Sequence, residues 1–175
     1  MSYFAKFPTT LYDLTAPGST TTKLLEVKDI IRRVKLKSVL ESNIFAYDPY
    51  DIKEGERPDI LADQFYGDSD LAWVILLTNE IHDLYEDWPL TERELSKMVA
   101  EKYTNPEDLH HYERPQDSGD TSKKVRCCNA TNPNTTAVTN REYELRLNEE
   151  KRRIKILRRE ILSDFIEQFE ELIRD

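Results

Sequence analysis

The chain has 175 residues, enough for one ordinary domain or two small ones. Acids outnumber bases 34 to 25, a formal charge of −9, and a dedicated nucleic-acid binder needs clustered Lys and Arg, so that class is argued against. No run of about 18 apolar residues offers a membrane span, and the first twenty residues lack the apolar stretch of a secretory signal, so the sequence predicts a soluble protein made in a cytosol.

Charged residues make up 34% of the chain and mean hydropathy is −0.70, which leans toward a chain too polar to bury itself well. Against this stand 17 aromatic residues, each able to bury a large area. The expectation is a folded protein with a thin core that completes its burial against partners. The acidity is local: residues 48–94 carry 14 acids and 3 bases, while residues 23–46 carry 6 bases and 3 acids.

In chain order, residues 1–22 begin aromatic (Tyr3, Phe4, Phe7, Tyr12) and turn Thr/Ser-rich. They form either an arm that docks elsewhere or a terminus packed on its own domain. Within residues 24–46, the spacing of Ile30, Ile31 and Val34 predicts a short helix leading into a strand. Residues 43–52 alternate loosely and end at the turn Lys53-Glu54-Gly55.

Pro58 stands at a first helical position. Leu61, Ala62, Phe65 and Tyr66 make one apolar helix face, and Gly67 is placed to stop that helix. Asp68 or Ser69 then caps a second, strongly apolar helix running from Leu71 to Leu77 and closing near Asn79. The run Leu84 to Leu90 reads as a strand closed by Pro89. Thr91-Glu92-Arg93-Glu94 is a capping box for a third helix carrying Leu95, Met98, Val99 and Tyr103.

Residues 104–138 are a long loop or a β-excursion. Thr139 and Glu142 form a second capping box opening a helix to Lys151. Residues 153–158 alternate as a short strand. Ile161, Phe165, Ile166, Phe169, Leu172 and Ile173 complete an amphipathic terminal helix with acids opposite. Tyr3, Phe4, Phe7, Tyr12, Phe165, Phe169 and Leu172 are thus candidate partner contacts. With the tail helix assigned to partners, deleting residues 160–175 is expected to leave the middle of the chain folded.

Chemistry is scarce. Four glycines allow neither a GxGxxG nor a Walker loop. Cys127 or Cys128 with His110 is a conceivable nucleophile pair, but a bare pair in a loop specifies little, and ordinary surface His and Cys are expected. The cysteines are adjacent, which excludes a disulfide framework. His110-His111 with Cys127-Cys128 is a poor zinc set, because neighbouring side chains diverge along a chain. Paired acids such as Glu86/Asp87 follow from composition. No catalytic residue, cofactor site or metal site is assigned.

Residues 52–82 resemble a LysM module: a strand ending at Gly55, a helix with Leu61-Ala62 and Tyr66-Gly67, a second helix, and Asn79. The resemblance implies a groove for N-acetylglucosamine polymers lined by Gly55, Glu56, Arg57, Pro58, Asn79, Glu80, Ile81 and His82. Arg57-Pro58 departs from the usual small polar and apolar pair, which counts against sugar binding.

Over most of its length the chain also resembles the small baseplate wedge subunit of T-even-type contractile-tailed phages, which contains a LysM-like domain. The matching residues are Tyr3-Phe4, Phe7-Pro8, Tyr12-Asp13, the block from Gly55 to Asn79, Asp87 to Leu90, and Thr139 to Glu144. The resemblance implies a virion structural protein with no enzymatic activity and no cofactor. Its partners would be other baseplate wedge proteins and adjacent wedges, which it helps join into a ring around the hub, with no nucleic acid and no membrane insertion. Peptidoglycan is a partner only if the chain is instead a LysM-type sugar-binding module.

The expected fold class is α+β. It comprises an N-terminal arm with a short helix and strand (1–46), a small LysM-like βααβ domain (47–103) and a mixed α/β C-terminal region ending in the amphipathic helix (104–175).

Overall fold

The computed structural model describes residues 3–15, 22–32, 34, 44–116, 124–127 and 134–174. The helix predicted near residues 30–34 therefore lies partly outside the described residues, as does Cys128. The chain divides into two compact units. The first comprises Met1–Tyr50, Glu56–His82 and Ile154–Asp175; the second comprises Asp51–Gly55 and Asp83–Arg153.

In the first unit, a 3-10 turn at Tyr3–Lys6 leads into strand β1 (Thr9–Asp13). Its antiparallel partner is β2 (Leu24–Lys28), with Tyr12 opposite Leu25 and Leu11 opposite Glu26. Residues 24–28 are thus a strand and not part of a helix. Their bonding is to β1, whose Thr- and Tyr-rich sequence suits a pleated surface.

Strand β3 (Tyr47–Asp51) pairs with β7 (Arg153–Leu157). Arg158 N–H donates to the Ala46 carbonyl at 2.9 Å and Ile52 N–H to the Arg152 carbonyl at 2.9 Å, so the ladder is antiparallel. Between these strands lie helices α1 (Pro58–Tyr66) and α2 (Ala72–Thr78).

The predicted signals operate here. Pro58 opens α1, and Gly67 ends it at φ 78° with its N–H on the Asp63 carbonyl. The Asp68 carboxylate accepts from Asp70 N–H ahead of α2. Helix α2 ends in a Schellman arrangement: Glu80 N–H donates to the Leu77 carbonyl and Ile81 N–H to the Leu76 carbonyl. Glu80 holds φ 56°, a conformation that favours glycine.

The terminal helix α5 (Leu162–Arg174) buries Phe165, Phe169 and Ile173. Its Phe169 ring lies 4.6 Å from Trp73 of α2 and 5.7 Å from Tyr3. This helix is a wall of the core. Deleting residues 160–175 would open that core, contrary to the expectation from its amphipathic pattern alone.

The second unit holds α3 (Glu92–Lys102), α4 (Asn140–Lys151) and a three-stranded antiparallel sheet in the order β5 (Lys124–Cys127), β4 (Leu109–Pro115), β6 (Thr136–Thr139). Both predicted capping boxes are formed, by Thr91 with Glu94 and by Thr139 with Glu142. Residues 104–138 include the β-excursion.

The strand expected at Leu84 to Leu90 is instead a turn. Asp83 and Asp87 take over its backbone. The Asp83 carboxylate accepts from Tyr85 N–H at 2.8 Å, the Asp87 carboxylate from Asp83 N–H at 3.1 Å, and the Asp83 carbonyl from Asp87 N–H at 2.8 Å. Such local bonds compete with a strand ladder.

Candidate functional site

The residues of the implied groove serve the fold locally. Gly55, in the second unit, holds φ 76° in a turn; the other seven belong to the first unit. The Glu56 carboxylate accepts from the Tyr50 hydroxyl at 2.9 and 3.0 Å. Desolvation and this carboxylate together raise the Tyr50 phenol above its ordinary range. Arg57 precedes α1, is exposed, and pairs at 3.1 Å with the half-buried Asp59. Pro58 is buried, Ile81 half-buried, and Glu80 and His82 exposed.

Asn79 is the most constrained of the set. Its amide nitrogen donates to the carbonyls of Ile75 (2.9 Å) and Lys155 (2.8 Å), and its amide oxygen accepts from Lys155 N–H (2.8 Å). The side chain thus pairs with β7 as a neighbouring strand would. Its main bonding capacity is committed within the unit.

The aromatic candidates separate into two groups. Phe7, Phe165 and Phe169 are buried, Tyr3 and Leu172 half-buried. Tyr3 stands 4.9 Å from Phe7 and 5.4 Å from Trp73. Lys6 donates to Glu170 of α5 at 2.5 Å, holding that carboxyl below its ordinary range. Phe4 and Tyr12, in contrast, are 57% and 59% exposed.

Tyr12 belongs to a larger apolar surface. Register puts Tyr12, Leu25 and Val27 on one face of the β1–β2 hairpin and Leu11 with Leu24 on the other. Leu11, Leu14, Leu24, Leu25, Ile30 and Ile31 are all exposed, Ile31 at 87%. An isolated two-stranded hairpin is marginal in water. This one is anchored at its base: Lys28 donates to the carbonyls of Ala5 (3.2 Å) and Phe7 (2.7 Å), and Arg32 to those of Ile173 (3.1 Å) and Arg174 (3.2 Å). The face with Leu11 and Leu24 also carries Thr9, Asp13, Glu26 and Lys28, so the Tyr12, Leu25 and Val27 face is the more apolar of the two. Of these side chains only Tyr12 was legible in the sequence as a candidate contact. The adjacent pair Leu24-Leu25 within a strand was the missed signal, since neighbours in a strand face opposite sides.

The second unit gathers polar side chains. Glu144 of α4, 5% exposed, accepts from Lys102 (2.8 Å) and Tyr103 (2.7 Å). Burial pushes its carboxyl up, but these hydrogen bonds and the Lys102 charge outweigh burial and hold it below its ordinary range. Glu113 of β4 accepts from Arg146 (2.6 Å) and lies 3.0 Å from His111 Nε2, again with a lowered carboxyl despite burial. Asn148 pairs reciprocally with the Leu90 backbone at 2.7 and 2.9 Å. Asn140 donates to the Asn105 carbonyl.

The two carboxylates are held charged by the donors around them, an arrangement suited to structure rather than to proton transfer. His110 and His111 meet instead of diverging, contrary to the sequence argument, because β4 is irregular between Leu109 and His111. Among the described residues no group of three or more His, Cys, Asp or Glu is placed to hold a metal ion.

A family model described as base plate wedge protein 53 matches residues 3–117. Baseplate wedge protein gp53 of Enterobacteria phage T4 is 36% identical over 56 residues, which cover 32% of this chain and 29% of that protein. The matched segment therefore spans under a third of that relative's length.

Proposed function

The chain belongs to the base plate wedge protein 53 family, whose place is the tail baseplate of the virion, and from that premise we propose that it joins wedges by protein–protein contact. It binds neighbouring wedge proteins and adjacent wedges and helps close them into a ring around the hub. The observation that carries this reading is the β1–β2 hairpin, which leaves apolar side chains uncovered on both faces while its base is bonded to its own unit. Exposed patches of this kind mark interaction sites. Phe4 and Tyr12 supply the aromatic anchors that dominate such contacts.

Strand β3, helices α1 and α2, and strand β7 form the LysM-like part in this reading. What supports it is the order strand, helix, helix, strand, with the two strands paired across an insertion in sequence. The module acts as a scaffold and not as a sugar reader, because Asn79 is bonded to Lys155 and Ile75.

The test is the full-length double variant Tyr12→Ser/Leu25→Ser. Both positions are exposed but face each other across the hairpin, so stability should fall by no more than about 1 kcal/mol. It should fail to co-sediment with wedge intermediates that the wild type joins. Normal incorporation of the folded variant would refute the hairpin as the joining surface.

A further inference from the structure

The paired histidines of the second unit have no part in the joining role. Strand β4 pairs with β6 as Leu109 with Thr139 and then His111 with Val138, leaving His110 as an extra residue. A regular strand sends neighbours to opposite faces. A bulge removes that alternation. Here the two rings meet with Nδ1 of His110 2.7 Å from Nδ1 of His111. Both rings lie on Tyr143 of α4, His110 stacked at 3.9 Å and His111 edge-on at 5.8 Å.

The proton positions follow from Glu113. Its carboxylate, engaged by Arg146 and 3.8 Å from Lys124, accepts from His111 Nε2. His111 Nε2 therefore carries the hydrogen, and His111 Nδ1 is an acceptor. The hydrogen between the rings belongs to His110 Nδ1. One further proton fits, on His110 Nε2, and keeps this bond. A second must go to His111 Nδ1, where two N–H groups would face each other across 2.7 Å.

We propose that His110 and His111 form an acid-released latch within the bulge of β4: the rings stay joined with up to one added proton and part with the second, loosening the packing of the bulge on Tyr143 of α4. The charged and titratable groups around the pair are Glu113 on β4, Lys124 and Arg126 on β5, Lys102 and Tyr103 at the end of α3, and Tyr143, Glu144 and Arg146 on α4. Glu144 favours added charge on His110, whereas Lys102 and Arg126 oppose it. Burial, with the charges of His111 and Arg126, holds His110 below the ordinary imidazole range.

Imidazole nitrogen NMR of the full-length protein at neutral pH tests the pair directly. It should show His110 as the Nδ1–H tautomer and His111 as the Nε2–H tautomer. Hydrogen exchange of β4, corrected for intrinsic rate, should then show the open population rising about tenfold or more between about pH 7 and pH 5. His111→Gln keeps a donor for Glu113 and an acceptor for His110 but takes no proton, so only His110 responds to acid and the rise should be several-fold smaller than in the wild type. The Nε2–H tautomer at both histidines in the wild type, or the same opening in His111→Gln, would overturn the latch. Should His111→Gln not fold, the wild-type tautomers alone decide.

Discussion

The two units bury different chemistry. The first packs Phe7, Trp73, Val74, Ile75, Phe165, Phe169 and Ile173 into an apolar, aromatic core. The second buries Trp88, Leu95, Val99 and Val138 together with Asn140, Glu144 and Asn148, three polar residues four apart on one face of α4. Apolar burial is indifferent to pH and geometrically forgiving. A buried polar network needs every partner in place, since each unpaired group carries its full desolvation cost. The chain thus combines one unit held by apolar packing with one whose stability depends on charge.

The largest expected effect breaks the first unit. Phe169→Ala removes a ring that touches Trp73 and Tyr3 and should cost about 3–5 kcal/mol. Denaturant unfolding with residue-resolved hydrogen exchange should place that loss in the first unit.

Acid should separate the units next. Glu113 and Glu144 have folded values below their ordinary range. Each therefore contributes stability above its unfolded value and loses it as pH falls through the folded one. His110 is also lowered, so its contribution is complete above an unfolded value of about 6.5 and declines as pH falls toward the folded value. The second unit should weaken in two stages, imidazole first and carboxylates later. Glu144→Gln should lower its stability at neutral pH by about 2 kcal/mol, shrink the later stage and enlarge the imidazole stage, because the Glu144 charge favours the protonated ring of His110. Unfolding curves by pH read both stages, and a single stage common to both units would erase the contrast.

The smallest effect is a gain. Glu80→Gly relieves a left-handed residue at the end of α2 and should stabilise the first unit by about 1 kcal/mol. Thermal unfolding measures it.

Local signals in the sequence were sufficient for the local structure. Thr91 with Glu94 and Thr139 with Glu142 start their helices, Pro58 and Gly67 bracket α1, and Phe165, Phe169 and Ile173 face inward from α5. What escaped was non-local. The partner of β3 lies in residues 153–157, and alternation in either strand says nothing about which strand it joins. The turn at residues 83–87 was hidden behind apolar Leu84 and Trp88, and its two aspartates were the clue. The bulge at His110 has no sequence signature, so the meeting of adjacent histidines was out of reach. The apolar hairpin was half visible: Tyr12 stood out as an aromatic, while Leu24 and Leu25 stand in a segment whose pattern is set by the helical spacing of Ile30, Ile31 and Val34.

The proposed joining role rests on the hairpin, and hydrogen exchange on the free chain and on assembled baseplates tests it most directly. The account predicts that amides of residues 9–14 and 24–28 gain about tenfold or more protection on assembly, while the core of the first unit, already closed around Phe165 and Phe169, changes little. Unchanged exchange in the hairpin, with protection appearing only elsewhere in the chain, would contradict it.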